Sequence, residues 1–218
     1  MHQTVLFDLD GTLTDSGLGI TNSAMYALAH MGRAVPPREE LYCFIGPPLY
    51  DSFLDRFGMN EAEVQEAVAL FRTYFAEKGL FENEVYRGVP EMLRALKQAG
   101  FRLVLATSKP EKWAVPIMEH FGLAEVVPEM AGSTTSPERA TKDRVVAYAL
   151  KKFGIDPHTA IMVGDREHDV LGAKVNGIPT VGVTYGYGSR EELMNAGAVC
   201  TVPTPEALVN LLLEGRSE

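Results

Sequence analysis

The sequence predicts an α/β fold: a doubly wound parallel β-sheet flanked by helices, with an all-helical segment inserted after its first strand. Two patterns predict it. Short apolar, β-rich runs alternate with amphipathic helical segments over most of the 218 residues. Such alternation indicates right-handed βαβ crossovers onto a sheet buried on both faces. From about residue 16 to residue 80 the alternation stops, and helical periodicity continues with no convincing strand.

Taken in order, the first strand is expected over Thr4 to Leu9. Leu18 to Met31 reads as a helix closed by Gly32. A shorter helix around Arg38 to Cys43 leads into a turn at Ile45-Gly46-Pro47-Pro48. Asn60 to Lys78 is the clearest helix: Asn60 stands as N-cap with Glu63 three residues on. Its apolar positions are Val64, Ala67, Val68, Phe71 and Phe75, with Gly79 as terminator. Pro90 to Ala99 is the next helix, stopped by Gly100 at a C′ position. A strand over Phe101 to Ala106 follows, then a segment Lys112 to Phe121 kinked at Pro116, and a weaker strand over Glu125 to Met130. Beyond a polar linker, 132–140, come a helix over Thr141 to Phe153 ended by Gly154 and a strand over Ala160 to Val163. A helix over Asp165 to Asn176 ended by Gly177 and strands over Pro179 to Val183 and Ala198 to Val202 complete the chain. The expected division is a core of residues 1–15 and 81–218 and a helical insertion of residues 16–80. An insertion at that point reads as a cap over the carboxyl edge of the sheet, where open α/β sheets bind ligands.

Composition narrows the function classes. Hydrophobic residues make up 46% of the chain and mean hydropathy is -0.03, which suits a soluble globular protein. No apolar run approaches the ~20 residues that span a bilayer, so no membrane partner is expected. Met1-His2-Gln3-Thr4 offers neither a basic n-region nor a cleavage site, which points to a cytoplasmic protein. Cys43 and Cys200 form no CxxC pair, cannot build a zinc site, and read as two buried free thiols. The net charge of -9, without a basic stripe, disfavours a nucleic acid polymer. A small phosphorylated molecule stays compatible if a metal and one or two lysines lie together.

Three strand ends carry candidate chemistry. Asp8 and Asp10 follow Val5-Leu6-Phe7 and, in an extended chain, point to one side. Their repulsion calls for a cation with oxygen ligands, although aspartates in a turn after a strand describe them equally. Gly11 lets the backbone turn sharply and approach a ligand. Asp165 and Asp169 follow Ala160-Ile161-Met162-Val163, four apart at the start of a helix and hence on one face. A cation again offsets the like charges. Two strand ends delivering Asp pairs to one sheet edge favour the metal site over capping aspartates. Thr107-Ser108-Lys109-Pro110 follows Val104-Leu105-Ala106, and a hydroxyl, a lysine and a helix start suit a phosphate or an ordinary N-cap. Lys142 opens the next helix, where it opposes the dipole, and a surface lysine is the alternative. Gly186-Tyr187-Gly188 is a lone Gly-x-Gly that reads as a loop, His168 as a solvated helix residue, and Trp113 and Tyr148 as packing.

With those residues in place, the chain resembles the haloacid dehalogenase (HAD) superfamily, most nearly its phosphoglycolate phosphatase-like proteins with a helical cap. Asp8-Leu9-Asp10-Gly11-Thr12 is similar to the first motif, Thr107-Ser108-Lys109 to the second, and Gly164-Asp165 with Asp169 to the fourth. Gly177-Ile178-Pro179 and the run from Val181 to Ser189 resemble the stretch that follows in this subgroup. The resemblance implies a Rossmann-like core and a phosphatase with Asp8 as nucleophile and Asp10 as acid and base. It further implies magnesium (Mg2+) held by Asp8, the Asp10 backbone carbonyl, Asp165 and Asp169, and phosphate binding by Thr107 and a lysine. Gly11, Thr12, Ser108, Lys109 and Gly46 are added as candidate substrate contacts. The third-motif run Lys-Pro-x-Pro-Asp is missing; Lys142 holds its place in chain order and Lys109 is the substitute.

The expected activity is magnesium-dependent hydrolysis of a small phosphorylated metabolite through an aspartyl-phosphate. A nucleoside 5′-monophosphatase or a phosphomutase is the alternative enzyme, and a phospho-accepting or phosphate-binding regulatory module the alternative of another class. Asp10, an acid/base two residues from the acceptor, favours turnover over a long-lived phospho-switch. Phosphoglycolate, nucleoside monophosphates, sugar phosphates and phosphotyrosine all remain open as substrates, as do monomer and homodimer.

Overall fold

The computed structural model describes residues 3–134 and 137–215. Met1, His2 and part of the expected 132–140 linker lie outside the described residues. The strands are β1 (Thr4–Phe7), β2 (Thr14–Asp15), β3 (Glu84–Val85), β4 (Arg102–Pro110), β5 (Glu129–Ser133), β6 (Ala160–Gly164), β7 (Thr180–Val183) and β8 (Cys200–Val202). The α-helices are α1 (Gly17–His30), α2 (Leu49–Phe57), α3 (Glu61–Tyr74), α4 (Val89–Gln98), α5 (Glu111–His120), α6 (Lys142–Phe153), α7 (Glu167–Val175), α8 (Arg190–Ala196) and α9 (Pro205–Glu214). None is long and apolar enough to cross a membrane.

The chain divides into two compact units, one formed by the residues up to Thr14 and from Val85 onward, the other by Asp15–Glu84. The first unit is the α/β core. Its six strands run parallel in the order β5-β4-β1-β6-β7-β8. The central strand β1 is buried at all four residues, and after Thr4 its run Val5-Leu6-Phe7 is apolar without alternation. Strand order reverses around β1, which makes its carboxyl end the topological switch point. One core cluster joins Leu6, Val104 and Met162 of the sheet to Val145, Val146 and Ala149 of α6. The spacing of those helix residues is the sequence signature that predicted α6, and Gly154 closes it at φ 60°.

The second unit is helical, with a 3-10 segment (Arg38–Phe44) and a π-helical turn (Phe75–Gly79) besides α1, α2 and α3. Asn60 caps α3 as its sequence indicated: its side chain accepts from Ala62 N and Glu63 N, and Glu63 Oε2 accepts from Asn60 N at 2.9 Å. Phe44, Phe53, Phe71 and Phe75 form a chain of ring contacts through its core.

Several expectations need correction. The weak strand expected at Glu125 to Met130 lies further on, at Glu129–Ser133, and takes Gly132 and Ser133 from the supposed linker. Gly79 ends the helical run as the last residue of the π-helical turn, where a Cβ would crowd Ser23 Oγ at 2.8 Å and Gly19 O at 3.0 Å. α2, α8 and α9 are helices that the sequence reading does not contain. Neither Cys43 nor Cys200 forms a disulfide, both are only half-buried, and burial pushes the Cys200 thiol up.

Candidate active site

Register alone brings the three strand ends together. Phe7 pairs with Leu105 on one side and Val163 on the other, so Asp8 emerges level with Ala106 and Gly164. Asp8 N donates to Val163 O at 3.0 Å. Asp8, Asp165 and Asp169 form a buried cluster whose carboxylate oxygens, one from each residue, lie within 4.8 Å of one another. Asp165 is not on the helix as expected. It precedes α7, and Asp169 belongs to the first helical turn, so the pair meets across a strand-to-helix loop rather than along one helix face.

Lys142 is buried rather than a surface lysine. Its ammonium lies 2.8 Å from Asp8 Oδ1 and 2.6 Å from Asp169 Oδ1, and donates to Ala106 O at 3.2 Å. Gly172 makes room for it, since a Cβ there would stand 2.6 Å from Lys142 Cγ. Burial disfavours the Lys142 charge, but Asp169 and then Asp8 outweigh it and hold its pKa above the ordinary lysine range. Burial, then repulsion from Asp169 and Asp8, raises Asp165 well above the usual carboxylate range. Asp169 is raised as well, by burial first, with Lys142 opposing and Asp8 adding to the rise.

Three carboxylates against one ammonium leave this pocket negative when all are ionised. A divalent cation with oxygen ligands fits that donor set. Among the described residues Asp8 Oδ1 has no hydrogen-bond partner beyond its ion pair with Lys142, which leaves it capacity to coordinate. Asp10 lies outside the cluster: its carboxylate accepts from Lys109 Nζ at 3.0 Å and 2.9 Å.

The remaining expected residues have mixed placements. Thr107 is a buried residue within β4 and not a helix cap; its Oγ accepts from Lys109 N at 3.2 Å, leaving the hydroxyl hydrogen as a donor. The helix beyond begins only at Glu111. Ser108 is half-buried, and its carbonyl accepts from Ser133 Oγ at 2.6 Å. Thr12 donates its hydroxyl to Asp165 Oδ1 at 3.2 Å. Gly11 has φ 81°, and a Cβ there would overlap the Asp165 carboxylate. Gly46 lies in the helical unit, in the bend before α2, with φ 104°.

Residues 5–183 match the family of haloacid dehalogenase-like hydrolases. The chain belongs to that family. A 5′-nucleotidase of Pseudomonas aeruginosa is 43% identical over 88% of this chain and 87% of its own. The tyrosine-protein kinase PtkA of Mycobacterium tuberculosis is 39% identical over 97% of this chain and 72% of its own. Phosphoglycolate phosphatase 1 of Pseudomonas aeruginosa is 33% identical over 86% and 71%. The crystal structure of a predicted phosphatase from Clostridium acetobutylicum superposes with a TM-score of 0.94 at 45% identity, covering 98% of this chain and 99% of that one. The hydrolase is thus an enzyme of the phosphatase class.

Sequence reasoning passed over one part of this hydrolase's site. Gly186-Tyr187-Gly188, which reads as a loop, is one, and it packs on Asp165: Tyr187 N donates to Asp165 Oδ2 at 2.9 Å. A Cβ at Gly186 would collide with Gly11 O, and one at Gly188 with Asp165 O. Tyr185 donates its hydroxyl to Thr12 O at 3.0 Å, and burial, then Asp165 and Tyr86, pushes its phenol up. Two glycines after a strand were the available signal, and their close approach to the backbone is a tertiary fact.

Proposed function

We propose that this hydrolase cleaves a small phosphomonoester in a magnesium-dependent reaction, through an aspartyl-phosphate on Asp8. The observation that carries the proposal is the Asp8 carboxylate held in a buried cluster with Asp165 and Asp169, its charge paired by Lys142 at 2.8 Å. In the first displacement an Asp8 oxygen attacks phosphorus as the bond to the leaving alcohol breaks, and Asp10 gives that oxygen a proton. In the second, Asp10 takes a proton from water, whose oxygen attacks the same phosphorus and frees Asp8 and phosphate. Lys142 orients Asp8, and the Thr107 hydroxyl donates to the transferring group. Magnesium on Asp8, Asp165, Asp169 and the Asp10 backbone carbonyl would supply positive charge to the phosphoryl oxygens. Substrate choice is assigned to the helical unit, around Gly46.

Phosphoglycolate is the first substrate proposed, on the subgroup resemblance and the 33% identical relative of that name. A nucleoside 5′-monophosphate is the second, favoured by the 43% identical 5′-nucleotidase. Phosphate release from both esters, with magnesium and with EDTA, separates the two substrates. Unchanged turnover in Asp8→Asn would overturn the covalent route.

A further inference from the structure

We propose that Lys109 is a positioning residue for Asp10, and so acts on leaving-group departure rather than as a ligand of the phosphoryl group. This rests on the phosphatase reading above.

The sheet is built to deliver this lysine. β4 pairs regularly with β5 from Val104 to Thr107, then breaks register: Thr107 faces Gly132, yet Pro110 faces the very next residue, Ser133. Three steps along β4 match one along β5, so Ser108 and Lys109 form a bulge. Bulges beside active sites re-aim side chains. Two features hold this one in place. Ser133 Oγ donates to Ser108 O at 2.6 Å. Gly132 admits the bulged chain, because a Cβ there would stand 2.6 Å from Glu111 Cα and 2.8 Å from Lys109 O. Lys109 ends up buried, with only 8% of its surface exposed, although lysines are seldom buried without a dedicated partner. That partner is Asp10, both of whose carboxylate oxygens lie within 3.0 Å of Nζ.

The two buried lysines therefore serve different carboxylates. Lys142 faces Asp8 and Asp169. Lys109 faces Asp10, 99 residues away in sequence, and keeps it apart from the three-carboxylate cluster. Held by an ammonium on a pinned bulge, Asp10 has a fixed place: in its protonated form one oxygen stays on Lys109 and the other hands its proton to the alkoxide leaving group. The bond to phosphorus breaks as the one from Asp8 forms.

Leaving-group dependence tests this. kcat/KM covers steps only through the first irreversible one, transfer to Asp8, so the later use of Asp10 as base does not enter. A poor leaving group needs the acid and a good one does not. Lys109→Met is expected to lower kcat/KM by about 100-fold for an alkyl phosphate and by no more than about 5-fold for 2,4-dinitrophenyl phosphate. Inhibition by inorganic phosphate should stay within about 3-fold of wild type, and in an Asp10→Asn background Lys109→Met should cost less than about 3-fold more. Lys109→Gln, which keeps a hydrogen-bond donor, should fall between. Equal losses for both esters with weakened phosphate inhibition would make Lys109 a phosphoryl ligand and overturn the proposal, as would full activity in Lys109→Met. If Lys109→Met does not fold, the same comparisons on Lys109→Gln decide. Wild-type turnover, and its loss in Asp8→Asn, tests the phosphatase reading separately, so a uniform loss beside an active parent rejects the Lys109 assignment alone.

Discussion

Lys142 and Asp8 meet as a buried ion pair, Nζ to Oδ1 at 2.8 Å, with side chains only 5% and 6% exposed. The same ammonium reaches Asp169, so one charge from α6 balances a group at the end of β1 and one in the first turn of α7. Removing it leaves carboxylates buried without compensation, and that is far more costly than losing a surface pair.

Lys142→Met is accordingly expected to destabilise the metal-free protein by about 3–5 kcal/mol. Turnover should fall about 100- to 1,000-fold, as for loss of a preorganised electrostatic group. Urea unfolding in EDTA and in magnesium checks the first part, and the deficit should shrink with magnesium. An equal deficit in both would count against a shared cation and lysine site.

A pH dependence follows from the raised Asp165 and Asp169 values, caused first by burial. The folded state retains protons that the unfolded chain has released. The resulting contribution is complete below the unfolded value near 3.8 and is lost as pH rises through the raised values. Glu63 and Glu192, both lowered, act in the opposite sense, so the comparison must be with Asp165→Asn. In EDTA, Asp165→Asn should gain stability relative to wild type as pH rises above the unfolded carboxylate value near 3.8, read as the difference in denaturation midpoint across a pH series. A difference independent of pH would rule out this linkage.

Gly11→Ala is strained twice. Its φ of 81° disfavours any Cβ, and the added methyl would overlap the Asp165 carboxylate. A loss of about 2 kcal/mol or more in stability is expected, together with a fall in magnesium affinity. Isothermal titration of magnesium separates the effects, since backbone strain alone would leave the affinity untouched.

Asn60→Ala removes both side-chain caps of α3 and should cost about 1 kcal/mol in thermal unfolding, with aryl phosphate turnover unchanged. A stability loss below the error of the measurement would show that the capping box contributes nothing net.

Much of the site was legible because its parts are local in sequence. Asp8-Leu9-Asp10-Gly11 directly after an apolar strand, and Gly164-Asp165 directly after another, needed only the strand to be recognised. Thr107 and Lys109 were found for an incorrect local reason: they were placed at a helix start, whereas β4 continues through them as a bulge. The bulge leaves no mark in hydrophobic periodicity. Gly186 and Gly188 were set aside because their role is contact with Asp165 and Gly11, more than 20 and 170 residues away in sequence.

By itself the sequence determined the parallel α/β core, the helical segment set into it and the residues carrying charge, since strand and helix periods and short motifs are encoded within a few residues. Tertiary structure decided the pairing. Whether Lys142 or Lys109 meets Asp8, and which carboxylates cluster, depends on register between strands and on glycines that permit close approach. The result is Lys142 on Asp8 and Asp169, and Lys109 on Asp10. Burial then gives those pairings their strength, because charges removed from water are governed by the neighbours within a few ångströms and not by their order in the chain.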